Sequence, residues 1–337
     1  MQDIVWIDWE SSCRRSRELC NYLQIEPIVL NSLLPGKLGL VELLFRTICV
    51  LFKTRPCVLA VASLRIALLA VLLKPIFRCS IIVDCHYSGI IPSPSIPAAF
   101  HTLYSFIYRH AYLVLVTNKP HADIVKSSGG KPFILQDRIP SPSFIDQVPD
   151  PPAKKQVVCI CSYNIDEPVA EILNAAKLLQ NTDISIYLTG DSRGKFFQNE
   201  LPENVILTGY LSDEKYWQLL WESDLIVDLT KRDNCLVCGA YEAVAVGKPM
   251  LLSNSEAIQD YFTRGVVYTK NSGRDIAINI KKALDSADCL AYQVIELKSH
   301  LKLNWEPVGE IFKEEIKSIC KLKKRLHQQK HPSISNI

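Results

Sequence analysis

The sequence predicts an α/β protein of two Rossmann-like domains whose parallel sheets face a cleft, and three observations predict it. A length of 337 residues exceeds what one hydrophobic core comfortably fills and suits two domains of ordinary size. Short β-rich apolar runs alternate with amphipathic segments along most of the chain, the rhythm of helices crossing over a parallel sheet. Proline-dense stretches near the middle, Ile139-Pro-Ser-Pro-Ser and Val148-Pro-Asp-Pro-Pro-Ala, can continue neither kind of element and separate two such series.

In the first domain, placed at 1–145, strands are expected at 4–9, 27–30, 58–63, 80–84 and 112–117, with helices at 14–23, 38–53, 64–77 and 95–109. The run 57–73 is apolar enough to resemble a membrane span, but Arg65 interrupts it and it divides at Ser63-Leu64 into a strand-like and a helix-like half. In the second domain, placed at 155–320, strands are expected at 157–161, 184–189, 205–207, 225–229 and 249–252. Helices are expected at 167–179, 214–221, 240–246, 274–284 and 305–322. Residues 321–337 form a basic tail without an acidic side chain, expected to fray.

Hydrophobic residues at 48% and charged residues at 22% exclude a disordered chain and a multi-span membrane protein. The twelve cysteines sit mostly singly inside apolar runs and read as small core residues of a reducing compartment. Cys235 and Cys238 form one C-x2-C without a partner pair, a weak zinc or redox signal. The N-terminal sequence reads as a strand, without the basic and apolar regions of a signal peptide, so a cytoplasmic protein is expected.

In open parallel sheets ligands bind beyond the carboxyl ends of the strands, which directs attention to three loops. The first follows Asp224-Leu-Ile-Val-Asp-Leu and carries Lys231, Arg232, Asp233 and Asn234. Gly239 and Ala240 lie at a helix start, where backbone amides and the helix dipole favour a diphosphate. Glu242 is expected in the first turn of that helix, placed for ribose hydroxyls. The second loop, Ile81-Ile-Val-Asp-Cys-His, puts Asp84 and His86 at the end of a buried strand facing the cleft, where Asp84 acts as general base or orients His86. The third follows the first strand and carries Arg14 and Arg15 at a helix start, available to a phosphate or another anionic group. Each also has a structural reading: a helix-start charge and plain turn, a capping aspartate beside an incidental histidine, exposed helix arginines.

The run Glu242-Ala-Val-Ala-Val-Gly-Lys-Pro resembles the donor-binding segment of glycosyltransferase family 4 and other enzymes of the GT-B fold, in which two glutamates flank such a loop. The first glutamate's position holds Asn234 here. The stretch Val205-Ile-Leu-Thr-Gly-Tyr-Leu-Ser is similar to the family's base-binding segment, which implies that backbone groups near Gly209 and Tyr210 read the base edge. The Arg/Lys pair that many members carry after the first strand of this domain is replaced by Ser162-Tyr-Asn-Ile-Asp-Glu-Pro, leaving Lys231 and Arg232 as substitutes. The Arg-Arg-Ser helix start resembles that of some polysaccharide-assembly glycosyltransferases. The resemblance implies transfer of a sugar from a nucleotide diphosphate-sugar to a glycan or lipid-linked acceptor, as in exopolysaccharide or envelope-glycan assembly. A nucleotide-sugar epimerase on the same fold and a catalytically silent partner subunit are the alternatives.

No Asp-x-Asp occurs, so no metal or other cofactor is implied beyond the donor substrate itself. Between Lys37 and Arg78 lie seven Lys or Arg residues and one acidic residue, Glu42, interleaved with apolar side chains. Such a segment suits peripheral contact with an anionic membrane, on its inner face, and reads equally as buried helices with snorkelling basic ends. No nucleic-acid partner is expected.

Overall fold

The computed structural model describes residues 3–85, 98–142, 154–192 and 201–330, with the side chains of 98–100 and 326–330 left aside. The chain divides into two compact units, one formed by the chain up to Asp137 together with the stretch from Trp305 onward, the other by Arg138–Asn304.

In the first unit β1 (Ile4–Trp9), α1 (Arg14–Leu23), β2 (Ile28–Leu30), α2 (Gly36–Thr54), β3 (Val58–Val61) and α3 (Leu64–Phe77) alternate, followed by β4 (Ser80–Asp84), α4 (Ala98–His110), β5 (Leu113–Val116), α5 (Lys119–Ser127) and β6 (Pro132–Ile134). All six strands are parallel, in the order β2-β1-β3-β4-β5-β6. The inner strands β3, β4 and β5 are buried at every position, as a sheet covered on both faces requires. The 57–73 run is β3 followed by most of α3, with Ser63, still extended in backbone, at the helix N-cap position.

The second unit holds β7 (Lys155–Cys159), α6 (Val169–Leu178), β8 (Ile184–Thr189), β9 (Val205–Gly209), α7 (Asp213–Glu222), β10 (Leu225–Asp228), α8 (Cys238–Val246), β11 (Met250–Ser253), α9 (Glu256–Tyr261), β12 (Val266–Thr269), α10 (Gly273–Asp285) and the start of α11 (Ala287–Lys330). Its parallel sheet runs β9-β8-β7-β10-β11-β12. This is the doubly wound dinucleotide-fold order, with the switch between β7 and β10.

Three expectations are corrected. The boundary falls at Asp137/Arg138 rather than at 145–155, and the stretch from Trp305 onward returns to the first unit instead of completing the second. The reason is apolar spacing: Trp305, Phe312, Ile316, Ile319 and Cys320 line one stripe of α11 and join Trp6, Leu19, Val58, Ala60 and Leu115 in a single core. Full burial of one such side chain contributes about 1.5–3 kcal/mol. The basic stretch beyond 321 does not fray but stays helical to Lys330. Lys323 Nζ donates to the Arg78 carbonyl at 2.5 Å and Lys324 Nζ to Asp3 Oδ2 at 2.6 Å.

Candidate functional site

Strands β7 and β10 are neighbours whose onward chains run to opposite sides of the sheet, and the loops leaving their carboxyl ends flank the crevice that this topology creates. The loop after β10 is built rigidly. The Thr230 amide donates to Ser253 Oγ at 2.9 Å, Ser253 Oγ donates to Asn271 Oδ1 at 2.9 Å, and Asn271 Nδ2 returns to the Thr230 carbonyl at 2.7 Å.

Asp228 ends β10 with its side chain buried, accepting the Gly239 amide at 2.7 Å. Burial pushes its carboxyl well above the ordinary carboxylate range. The Gly239 amide opposes the shift, while Glu242, Glu167 and Asp166 add to it. Glycine is required at 239 because a Cβ there would lie 2.5 Å from Ile160 Cδ1 and 2.6 Å from Asp228 Oδ2. The Gly239 amide, expected to face a phosphate, is therefore committed to an internal carboxyl, and the Ala240 side chain lies in the core. Asp228 was missed in the sequence. Its signal is an acidic residue closing an apolar strand, eleven positions before a glycine at a helix start.

Glu242 is half-buried on the fifth residue of α8, two residues further in than expected, because the helix begins at Cys238. A helical side chain leans back toward the N-terminus, so its carboxylate still covers the first turn. Tyr216 on α7 donates its hydroxyl to Glu242 Oε2 at 2.5 Å and fixes it, a partner the sequence did not announce. Asp233 is exposed and Asn234 half-buried in the turn before α8.

Lys231 and Arg232, expected as cations facing a diphosphate, pair instead with acids around the β7–α6 loop. Arg232 Nε lies 3.0 Å from Asp166 Oδ2, Lys231 Nζ 3.7 Å from Glu171 Oε1, and the Lys231 amide donates to the Asp166 carbonyl at 2.7 Å. They fasten one switch-point loop to the other. At the far edge, Gly209 takes φ +65° and forms an isolated antiparallel bridge with Gly190, and Tyr210 beside it is 86% exposed.

The first unit treats its charges differently. Arg14 is half-buried at the start of α1, but Arg15 is neither an exposed arginine nor a phosphate ligand. Its Nε donates to Asp84 Oδ1 and Oδ2 at 2.9 and 3.0 Å, Nη1 to Asp137 Oδ1 at 2.6 Å and Nη2 to the Leu135 carbonyl at 2.8 Å. Burial alone would lower the affinity of this guanidinium for its proton, but Asp84 and Asp137 outweigh it and raise that affinity. Asp84, with a fully buried side chain gripped by a guanidinium, is a strut of the strand end rather than a general base. His86 lies outside the described residues.

At the switch point of this first sheet, between β1 and β3, is a cavity of about 290 Å³ lined by Trp9, Glu10, Ser32, Leu40, Ser63 and Arg65, among others. Its lining mixes the polar Glu10, Ser32, Ser63 and Arg65 with the apolar Trp9, Leu40 and Leu43, which suits a small hydroxylated group. Trp9 and Glu10 lie in the loop after the first strand that the sequence pointed to, whereas Ser63 and Arg65 were read only as dividing the 57–73 run.

Two six-stranded parallel sheets, each wrapped by helices and each with a topological switch point, define the fold of the GT-B glycosyltransferases. Solved structures share it over nearly the whole chain. HepE of Anabaena, in complex with UDP and glucose, matches with a TM-score of 0.75 at 13% identity, over 94% of this chain and 100% of its own. Sucrose-phosphate synthase of Thermosynechococcus elongatus matches at 0.76 and 15% identity, over 95% and 99%. The lipopolysaccharide outer core galactosyltransferase WaaB matches at 0.61 and 12% identity, over 93% and 100%. The sequence matches no protein-family model and no curated protein. At these identities the likeness establishes the fold.

Proposed function

We propose that the chain is a glycosyltransferase moving a sugar from a nucleotide diphosphate-sugar to a glycan or lipid-linked acceptor, as in exopolysaccharide or envelope-glycan assembly at the inner face of the membrane. The observation that carries the reading is Glu242, held by Tyr216 one turn into α8 at the switch point of a doubly wound sheet. The fold is that of HepE, itself solved with UDP. Glu242 receives the ribose hydroxyls. The amino end of α8 faces the diphosphate with its positive dipole, and the backbone around Gly209 and Tyr210 meets the base. Asn234, in place of a glutamate, donates or accepts a hydrogen bond at the transferred sugar. The cavity beside Trp9 receives the acceptor.

Titration calorimetry with UDP, GDP and their sugars tests this. One nucleotide should bind, and Glu242→Ala should weaken it at least tenfold with an unchanged melting temperature; equal affinity in parent and variant would overturn the assignment. A second reading, a nucleotide-binding partner subunit without turnover, draws on the pairing of Lys231 and Arg232 with acids. Release of free sugar from the bound donor supports the transferase over that subunit, and interconversion of free nucleotide-sugars would make the chain an epimerase.

A further inference from the structure

Helix α2 buries a narrow stripe, Gly39, Leu43, Thr47 and Leu51. With 3.6 residues per turn, Leu38, Val41, Phe45, Cys49 and Phe52 fall on the opposite side, and all five are exposed, Phe45 to 66%. A helix packed by one face onto a water-soluble unit carries polar residues there; α2 is apolar on both. The patch extends to Leu33 before the helix, 85% exposed, and to α3, which carries the exposed Leu72 and Ile76 and whose Phe77 meets Phe52 edge-on at 4.8 Å.

Charge borders this stripe on both sides. Lys37 and Arg55 lie along one flank, Arg46 and Lys53 along the other. The single acid of the helix, Glu42, lies on the Arg46 flank, where it offsets one cation and folds back onto the turn before the helix. It accepts the Leu33 and Leu34 amides and the Ser32 hydroxyl and pairs with Arg46, contacts that hold its carboxyl below its ordinary range although partial burial acts against them. Among the described residues no helix is long and apolar enough to cross a membrane.

We infer that the outer face of α2 docks in the plane of a bilayer containing anionic lipids, the stripe seated among the upper acyl chains with Phe45 and Phe52 as anchors and the flanking cations at the headgroups. A second copy of the chain fits less well, because a two-fold contact through this face would set the cationic flanks against each other. Gly36, Gly39 and Leu40 of the same helix line the cavity beside Trp9. An acceptor borne on a lipid therefore reaches the strand ends along α2 without leaving the membrane surface, a consequence that rests on the proposed transfer, whereas docking itself does not.

Flotation of the full chain with phosphatidylcholine vesicles, with and without phosphatidylglycerol as the anionic lipid, decides the matter. Binding should require the anionic lipid and weaken as salt rises. Phe45→Ser with Phe52→Ser, and separately Lys37→Glu with Lys53→Glu, should each lower it at least tenfold, and because these side chains are exposed the melting temperature and nucleotide affinity should hold. Binding that ignores lipid charge, binding that survives both pairs of substitutions, or no binding overturns the inference. So does a concentration-dependent dimer that the Phe pair dissolves. Anionic-vesicle binding by a chain with no nucleotide affinity would leave docking standing and remove the proposed transfer.

Discussion

Strand β4 ends Ile81-Ile-Val-Asp84 and strand β10 ends Leu225-Ile-Val-Asp228, nearly the same four residues at the same place in two sheets, yet the two aspartates live under opposite electrostatics. Asp84 meets a guanidinium that also binds Asp137 and the Leu135 carbonyl, so the buried charge is compensated on the spot. Asp228 meets one backbone amide and a ring of other carboxyls, and burial pushes it toward the protonated form. Local sequence sets where such an aspartate sits; a partner from elsewhere in the chain sets whether it carries charge. The end of β4 thus closes its aspartate on an arginine, while the second unit keeps Glu242 half-exposed beside a carboxyl poised to hold a proton.

The contrast is broken most severely at Arg15. Arg15→Met removes the guanidinium that grips two buried carboxylates and should cost about 3–5 kcal/mol of unfolding free energy, read from urea melts. A loss under about 1 kcal/mol would mean that water already screens the cluster. Asp84→Asn should likewise lower stability before it lowers turnover.

Asp228→Asn sharpens the contrast from the other side. Between the ordinary carboxylate range, near pH 4, and the raised value of Asp228, the folded chain holds a proton that the unfolded chain has released. Rising pH through that window therefore weakens the parent. Asparagine keeps an acceptor for the Gly239 amide and has no proton to lose. The variant should be more stable than the parent by about 1–3 kcal/mol at pH 8, with the gap closing as pH falls to about 4. A gap that does not vary with pH would show Asp228 to be ionised in the fold.

The smallest effect is expected at Tyr216. Tyr216→Phe deletes the hydroxyl that holds Glu242, a loss of about 0.5–1.5 kcal/mol in nucleotide affinity, or two- to twelvefold by calorimetry. Unchanged affinity would separate the Glu242 carboxylate's function from its tether.

Much of this was legible beforehand. Alternation of buried strands and amphipathic helices gave both sheets, and Ser63 was enough to divide the 57–73 run. The short α9 and β12, and β6 at the edge of its sheet, escaped because three to six residues carry too little periodicity. The helix expected at 305–322 begins well upstream, at Ala287, and passes through Pro307, since the apolar stripe on either side is long enough to hold the helix across one lost amide. At the site, Glu242 and the loop before α8 were visible as a pattern. Arg15 was not: its partners lie 69 and 122 residues away, and nothing in Arg14-Arg15-Ser16 tells which arginine turns inward. The pairing of Lys231 and Arg232 was hidden for the same reason, because their acids come from around the β7–α6 loop.

The return of α11 to the first unit has a consequence for synthesis. The second unit is encoded without interruption and is complete once Asn304 has emerged from the ribosome. The first begins earlier but cannot finish, since Trp6, Leu19, Val58 and Leu115 wait for Trp305, Phe312 and Ile316 to cover them. At about 5–20 residues per second, the interval between translation of Asp137 and of Ile316 lasts roughly 10–40 seconds. For that time the nascent chain carries an uncovered apolar sheet face, which makes it a client for chaperones that guard such surfaces and places the most aggregation-prone moment of its life before its last helix is made.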